Sequence, residues 1–268
     1  MVKEEQKTIH VFWTGGWDST FRILQLAQKN VIIQPYYLKD DRLSEQFELA
    51  AIDTITKLIE QLSSTRCTIK SLITEQVSDL EEDQAITQAY HRIRNDFMML
   101  SDGNKLGSQY EWLAKFSKDI ANLELGIEKG AKIIDIVTSF GGFERNFDKV
   151  KGAFYTVEKN SSEDLKMIFG NYDFPLILIT KAEMKKIAEK EGYGHIMDET
   201  WFCHKPITEK PCGKCNPCVQ TIEFGFEYRF TKDALQRYRI KKYLKILEEI
   251  IPFHIRFSIK QKFKSLLN

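Results

Sequence analysis

The sequence is poor in the residues that mark fibrous, disordered or secreted chains. Of 268 residues only 6 are proline and 14 glycine, too few for a collagen-like or low-complexity chain, and neither an internal repeat nor a linker interrupts it. An excess of either charge is missing as well. Lys and Arg number 39 against 38 Asp and Glu, a formal net charge of +1, so the whole molecule lacks the basic surplus that announces nucleic-acid binding. Met1 to Thr8 is charged and leads into an apolar stretch of five residues. That is too short for a signal-peptide core or a membrane span, so a cytoplasmic protein with no membrane partner is expected. Cysteine is scarce too, at 5 residues, but four of them lie between Cys203 and Cys218. Such crowding fits metal ligation better than extracellular disulfides.

With 43% hydrophobic and 29% charged residues, the chain can build an ordinary core. Its charge is unevenly spread: residues 229–268 hold eleven Lys/Arg against three Asp/Glu, a local +8, which leaves about −7 on the first 228 residues by subtraction from +1. Thr8 to Trp13 reads as a buried strand closed by Gly15 and Gly16, and Ser19 to Asn30 as the helix after it. Val31 to Leu38 is a second strand, Ser44 to Leu62 a second helix and Cys67 to Ile73 a third strand. This alternation predicts an α/β protein, with βαβ units, a parallel sheet and helices on both faces. Further on, the pattern predicts a helix from Tyr110 to Lys129, a fourth strand from Ile133 to Thr138, a fifth from Leu176 to Thr180, and a helix from Lys181 to Glu191. Residues 74–107 thin out into a polar stretch, read as an insertion with some helix. Thr231 to Ile251 is an amphipathic helix with Leu235, Tyr243, Leu244, Leu247 and Ile251 as its packing stripe, and His254 to Leu267 is a last basic helix. The domains expected are therefore 1–200 for the α/β body with its insertion, 201–221 for the cysteine motif and 222–268 for a basic helical extension.

Two motifs carry chemistry. In Thr14-Gly15-Gly16-Trp17-Asp18-Ser19-Thr20, two glycines let backbone approach a ligand, and the start of a helix offers N–H groups and hydroxyls to a phosphate or pyrophosphate. The Walker lysine and the three-glycine dinucleotide fingerprint are both absent; a plain tight turn before a capped helix is the competing reading. Cys203, Cys212, Cys215 and Cys218 form C-x8-C-x2-C-x2-C, a set that can close a tetrahedral shell around structural Zn²⁺. An iron–sulfur cluster, disulfides and buried thiols remain open alternatives. Cys67, alone in an apolar run, reads as a core residue.

The glycine segment resembles the PP-loop of the ATP pyrophosphatases, whose S-G-G-x-D-S signature it matches except at Thr14, where the hydroxyl is kept. Together with the zinc motif, Thr200 to Cys203 and Cys212 to Cys218, and with Pro175, Leu176, Leu178, Lys181, Ala182 and Glu183, it resembles the 7-cyano-7-deazaguanine synthases over residues 8–221. The resemblance implies a Rossmann-like sheet of the PP-loop type and three bound species: ATP, Mg²⁺ and Zn²⁺. It implies a reaction in which 7-carboxy-7-deazaguanine becomes an acyl-adenylate with release of pyrophosphate, is attacked by ammonia to give an amide, and is then dehydrated to a nitrile with a second ATP. Thr14, Gly15, Gly16, Asp18, Ser19 and Thr20 would hold the nucleotide's phosphates. Asp18, Ser19 and Lys181 would be catalytic, with Asp18 helping to place Mg²⁺ and Lys181 neutralising phosphate charge; a surface lysine is the alternative for Lys181. A planar base would lie against Trp17, Trp201 or Phe202, unless these are core aromatics.

The departures lie on the substrate side. Lys39-Asp40-Asp41-Arg42 stands where the family has Tyr-Gly-Gln-Arg, Gln109-Tyr110-Glu111 replaces an Arg-Asn pair, Thr221 replaces an arginine, and the family's Pro-Asp-Cys is missing. Two other readings follow: a diverged ligase that joins the acid to an amine of a protein docked on the basic C-terminal helices, and a non-catalytic nucleotide-binding zinc scaffold. A tRNA sulfurtransferase is disfavoured because it needs a reactive cysteine near the nucleotide. The C-terminal stripe also suits a homodimer, with a solvated helix face as the alternative.

Overall fold

The computed structural model describes residues 6–101 and 105–250, and the helix expected at His254 to Leu267 lies outside them. The chain divides into two compact units, one through Trp201 and one from Phe202 onward.

In the first unit, apolar β-branched runs form β1 (Lys7–Phe12) and β2 (Val31–Lys39), and the segment between them forms α1 (Trp17–Ala27). Ser44 precedes α2 (Glu45–Gln61), whose Ile52, Ile55 and Ile59 recur on one face and are buried. The third strand expected at Cys67 to Ile73 is split into β3 (Thr68–Ile69) and β4 (Ile73–Gln76), both parallel to β2. The polar stretch 74–107 holds α3 (Gln84–Leu100), capped by the Asp83 carboxylate. Its Ile86, Ala89, Tyr90, Ile93 and Phe97 are buried in the same cluster as Phe12 and Tyr36, so this helix is part of the core.

Three expectations are corrected here. The helix expected to reach Lys129 stops as α4 (Gln109–Ser117), and β5 (Leu123–Leu125) follows, pairing in parallel with β1. The strand expected at Ile133 to Thr138 is instead α5 (Lys132–Phe140): Ile133, Ile136 and Val137 are buried at helical spacing, a pattern a strand's alternation does not give. A hairpin of β6 (Phe143–Asp148) and β7 (Gly152–Val157), then α6 (Glu163–Phe169), lead to β8 (Tyr172–Asp173), parallel to β5. The apolar run Leu176 to Thr180 is not a strand. Leu176 is buried, Leu178 is 60% exposed, and Ile179 N–H returns to Leu176 O in a turn before α7 (Lys181–Lys190) and α8 (Gly194–Met197).

The sheet order is β3-β2-β1-β5-β8, with β4 also on β2. One face carries α1, α2, α7 and α8 through Phe21, Ile55, Met184 and Ile196; the other carries α3 to α6 through Phe97, Leu113, Val137 and Leu165. Each fully buried side chain of this kind stabilises the fold by about 1.5–3 kcal/mol. The interior also holds charge. Arg22 donates to both Glu124 oxygens at 2.6 and 2.8 Å, while Lys151 from the hairpin pairs with Asp173. Glu124 and Asp173 are register partners on adjacent strands, so each carboxylate needs its own cation, and removing one partner of such a pair costs about 3–5 kcal/mol.

The second unit contains α9 (Asn216–Glu223) and α10 (Lys232–Ile250). Thr231 Oγ1 accepts from Ala234 N–H at 3.2 Å and caps α10. This helix packs through Ala234 and Tyr238, which are buried, and through Arg237, which donates to Cys212 O at 2.9 Å. Of the stripe expected to pack, Tyr243 and Leu244 are 62% and 53% exposed, and the side chains of Leu247 and Ile251 lie outside the described ones. Among the described residues no helix is long and apolar enough to cross a membrane.

Candidate functional site

Chain order reverses direction at β1. From β1 the chain moves outward through β2 and β3 on one side, and β5 and β8 fill the other. Open parallel sheets bind ligands at the C-terminal ends of the strands flanking such a point. There, between the ends of β1 and β5, lies a cleft of about 190 Å³ lined by Thr14 and Gly16 to Ser19 on one side, Leu125 to Ile127 on another, and Gln109, Tyr110 and Leu113 of α4 on a third.

The glycine turn is shaped by sterics. Gly15 has φ +66°, and a Cβ there would stand 2.7 Å from the carbonyl of Glu48, so no other residue fits without moving α2. Thr14 Oγ1 and Ser19 Oγ lie 3.3 Å apart, and Ser19 Oγ takes the Thr14 N–H at 3.3 Å, folding the turn onto the helix start. Gly16 is the N-cap of α1 and supplies no side-chain cap. The first N–H groups of a helix lack intrahelical acceptors, and here the residues that carry them, Trp17, Asp18 and Ser19, line the cleft together with Gly126. A Cβ on Gly126 would meet Ser19 N at 2.9 Å; its absence brings the loop after β5 flush against the first turn of α1.

Asp18 and Lys181, distant in sequence, meet at this turn. Lys181 Nζ lies 3.5 Å from Asp18 Oδ2 and 2.8 Å from Glu128 Oε1. Lysine at the first position of a helix opposes the helix dipole, and the two carboxylates are the anions that hold it there. Burial works against the Lys181 charge, but Asp18 and Glu128 outweigh it and hold the ammonium above its usual range. Burial pushes the Asp18 carboxyl up to about 7, with Glu128 adding to the rise and Lys181 opposing it. Asp18 Oδ1 is buried without a hydrogen-bond partner among the described residues, an acceptor that a metal ion or a ligand donor would satisfy. Donor chemistry and space thus fit a metal-bound polyphosphate.

The residues picked out from the sequence do not all reach the cleft. Thr14, Gly16, Asp18 and Ser19 line it. Thr20 does not: it is fully buried, and its hydroxyl accepts from Trp13 Nε1 at 2.9 Å, pinning α1 to the end of β1. Of the aromatics, Trp17 lines the cleft. Trp201 is stacked on Phe47 at 4.6 Å and donates its backbone N–H to Gly15 O, and Phe202 packs against Phe230 and under Arg229 in the second unit. Glu183 forms a capping box with Thr180 at the head of α7, which accounts for it structurally and sets the position of Lys181. Glu128 and Gly126 were not singled out from the sequence. Their one signal is a glycine following a strand, as at Gly15, and the strand itself was hidden.

In the second unit the sulfurs of Cys203, Cys212, Cys215 and Cys218 all lie within 4.8 Å of one another. Cys212 Sγ is 3.8 Å from Cys218 Sγ, and Cys215 Sγ 3.9 Å from Cys203 Sγ. A tetrahedron with Zn–S bonds near 2.3 Å has edges of about 3.8 Å, so the four sulfurs fit one zinc-sized ion. They are not disulfide-bonded, and an iron–sulfur cluster would force them farther apart. Lys214 and Cys215 N–H groups point at Cys212 Sγ at 3.3 and 3.2 Å, and Cys212 N–H at Cys203 Sγ at 3.2 Å, a backbone arrangement that stabilises thiolate charge. Gly213, at φ +73°, lets Ala234 O approach where a Cβ would sit 2.1 Å away.

A family model described as queuosine biosynthesis protein QueC matches residues 157–230. That segment contains Lys181 and all four cysteines, and the glycine turn lies outside it. No curated protein gives a match.

Proposed function

We propose that the chain is a PP-loop enzyme that uses ATP to activate a carboxylic acid, with 7-carboxy-7-deazaguanine as the acid. The carrying observation is that the α1 N-terminus, without a side-chain cap, and Asp18 line one cleft at the point where the sheet's order reverses, with the Lys181 ammonium paired to Asp18. The QueC match supports the choice of acid. In this reading a carboxylate oxygen attacks the α-phosphorus of ATP, the α–β bridging bond breaks, and pyrophosphate leaves with acyl-adenylate remaining. Ammonia then attacks the acyl carbon, AMP departs, and the amide forms after loss of a proton; a second ATP activates the amide oxygen for dehydration to the nitrile.

The chain's residues contribute position and charge. Thr14, Gly15, Gly16 and Ser19 cradle the departing pyrophosphate against the helix N-terminus, Lys181 balances its charge, and Asp18 holds Mg²⁺, which would supply Lewis-acid neutralisation of the phosphates. Trp17 offers a flat face to a bicyclic base. Zn²⁺ on the four cysteines is structural. The exposed apolar side chains of Ile240, Tyr243 and Leu244 on α10, beside Lys241, Lys242 and Lys245, support a second reading in which the amine belongs to a docked protein; a homodimer through the same face is proposed as well.

The test is oxygen transfer. With the acid labelled by ¹⁸O in its carboxylate, mass spectrometry should find one labelled oxygen in AMP. Unlabelled AMP would rule out acyl-adenylate formation.

A further inference from the structure

The site residue left without a role is Glu128. It lies three residues beyond the end of β5, its Oε1 is 2.8 Å from Lys181 Nζ, and it raises the cost of ionising Asp18. Asp18 lines the cleft, and the charges of Lys181 and Glu128 act on it; with both acids ionised, two carboxylates pair with the Lys181 ammonium. A polyphosphate entering without a metal meets this negative surplus, and the ammonium that should receive it is already engaged. A polyphosphate carrying a divalent cation brings the missing positive charge with it.

Resting on the nucleotide reading of this cleft, we propose that Glu128 is a positioning residue that makes the site selective for metal-bound over metal-free polyphosphate. It does so by holding the Lys181 ammonium and by adding negative charge beside Asp18. The ligand class is a magnesium-complexed nucleoside triphosphate or pyrophosphate. Nothing in the capping of α7 needs Glu128, because the Thr180–Glu183 box holds that helix start by itself. Glu128→Gln keeps the shape and removes the charge, while Glu128→Asp keeps the charge on a shorter arm.

Calorimetric titration of inorganic pyrophosphate into the zinc-loaded protein tests this without turnover, once in buffer freed of magnesium by dialysis and once with excess magnesium. Relative to wild type, E128Q should bind metal-free pyrophosphate about tenfold more tightly, the effect of removing one partly screened charge a few ångströms away. It should gain much less with magnesium, and E128D should keep the wild-type preference. A merely structural role predicts weaker binding in both conditions. If E128Q binds metal-free pyrophosphate no better than wild type, or if E128D behaves as E128Q does, the role of Glu128 is refuted. If wild type fails to bind magnesium pyrophosphate at all, the nucleotide reading of the cleft falls and takes this inference with it.

Discussion

Lys181 Nζ stands 3.5 Å from the carboxylate of Asp18, joining the first residue of one helix to the first turn of another across the end of the parallel sheet. The two side chains come from stretches that the sequence sets far apart, and the chemistry proposed for the chain depends on their meeting.

Replacing Lys181 by alanine should lower the rate of pyrophosphate release about 100-fold, the usual effect of removing one preorganised charge donor, and Lys181→Arg should recover part of it. Steady-state assays check this. Equal rates for wild type and K181A would return Lys181 to the role of a surface cation.

Asp18 predicts a pH dependence whose sign is fixed by its shift. Its carboxyl titrates near 3.8 when unfolded and is raised to about 7 in the fold, so the folded state holds the proton more tightly. Its stabilising contribution is complete below the unfolded value and is lost as pH rises from about 4 through about 7. In the absence of nucleotide, Asp18→Asn should therefore melt with a flatter dependence on pH between 5 and 8 than wild type. Parallel melting curves for the two proteins would contradict the shift.

Thr20 separates structure from binding. Thr20→Val removes the acceptor of the buried Trp13 indole and should cost about 1–3 kcal/mol in urea unfolding, with KM for ATP unchanged. A raised KM at wild-type stability would place its hydroxyl on the ligand.

Much of this architecture was legible in the chain. β1 and β2 announce themselves as apolar runs, and Gly15 and Gly16 mark the turn between β1 and α1. The cysteine spacing is equally plain, because ligand geometry imposes it locally. What was hidden depends on distant partners. β5 is three residues long with Glu124 at its centre, and a charged residue can sit in a buried strand only because Arg22 reaches it from α1. Missing β5 meant missing Gly126 and Glu128 behind it. Ile133 to Thr138 and Leu176 to Thr180 carried strand-like composition, but the first buries a helical face and the second turns into α7. On α10, Ala234 and Arg237 meet the cysteine loop, while Tyr243 and Leu244 of the apolar stripe are exposed.

The metal content is a separate check. The purified protein should carry one zinc per chain, and Cys→Ser at any of Cys203, Cys212, Cys215 or Cys218 should lower stability and solubility, because a structural zinc contributes directly to folding. Elemental analysis decides it; iron with a visible absorption band would overturn the assignment.

The most direct test of the account is pyrophosphate release on mixing the zinc-loaded protein with ATP, magnesium, 7-carboxy-7-deazaguanine and ammonia. The account predicts acid-dependent formation of pyrophosphate and AMP in equal amounts, lost in Asp18→Asn. ADP and phosphate as products, or no acid-dependent pyrophosphate from protein that binds its zinc, would contradict it.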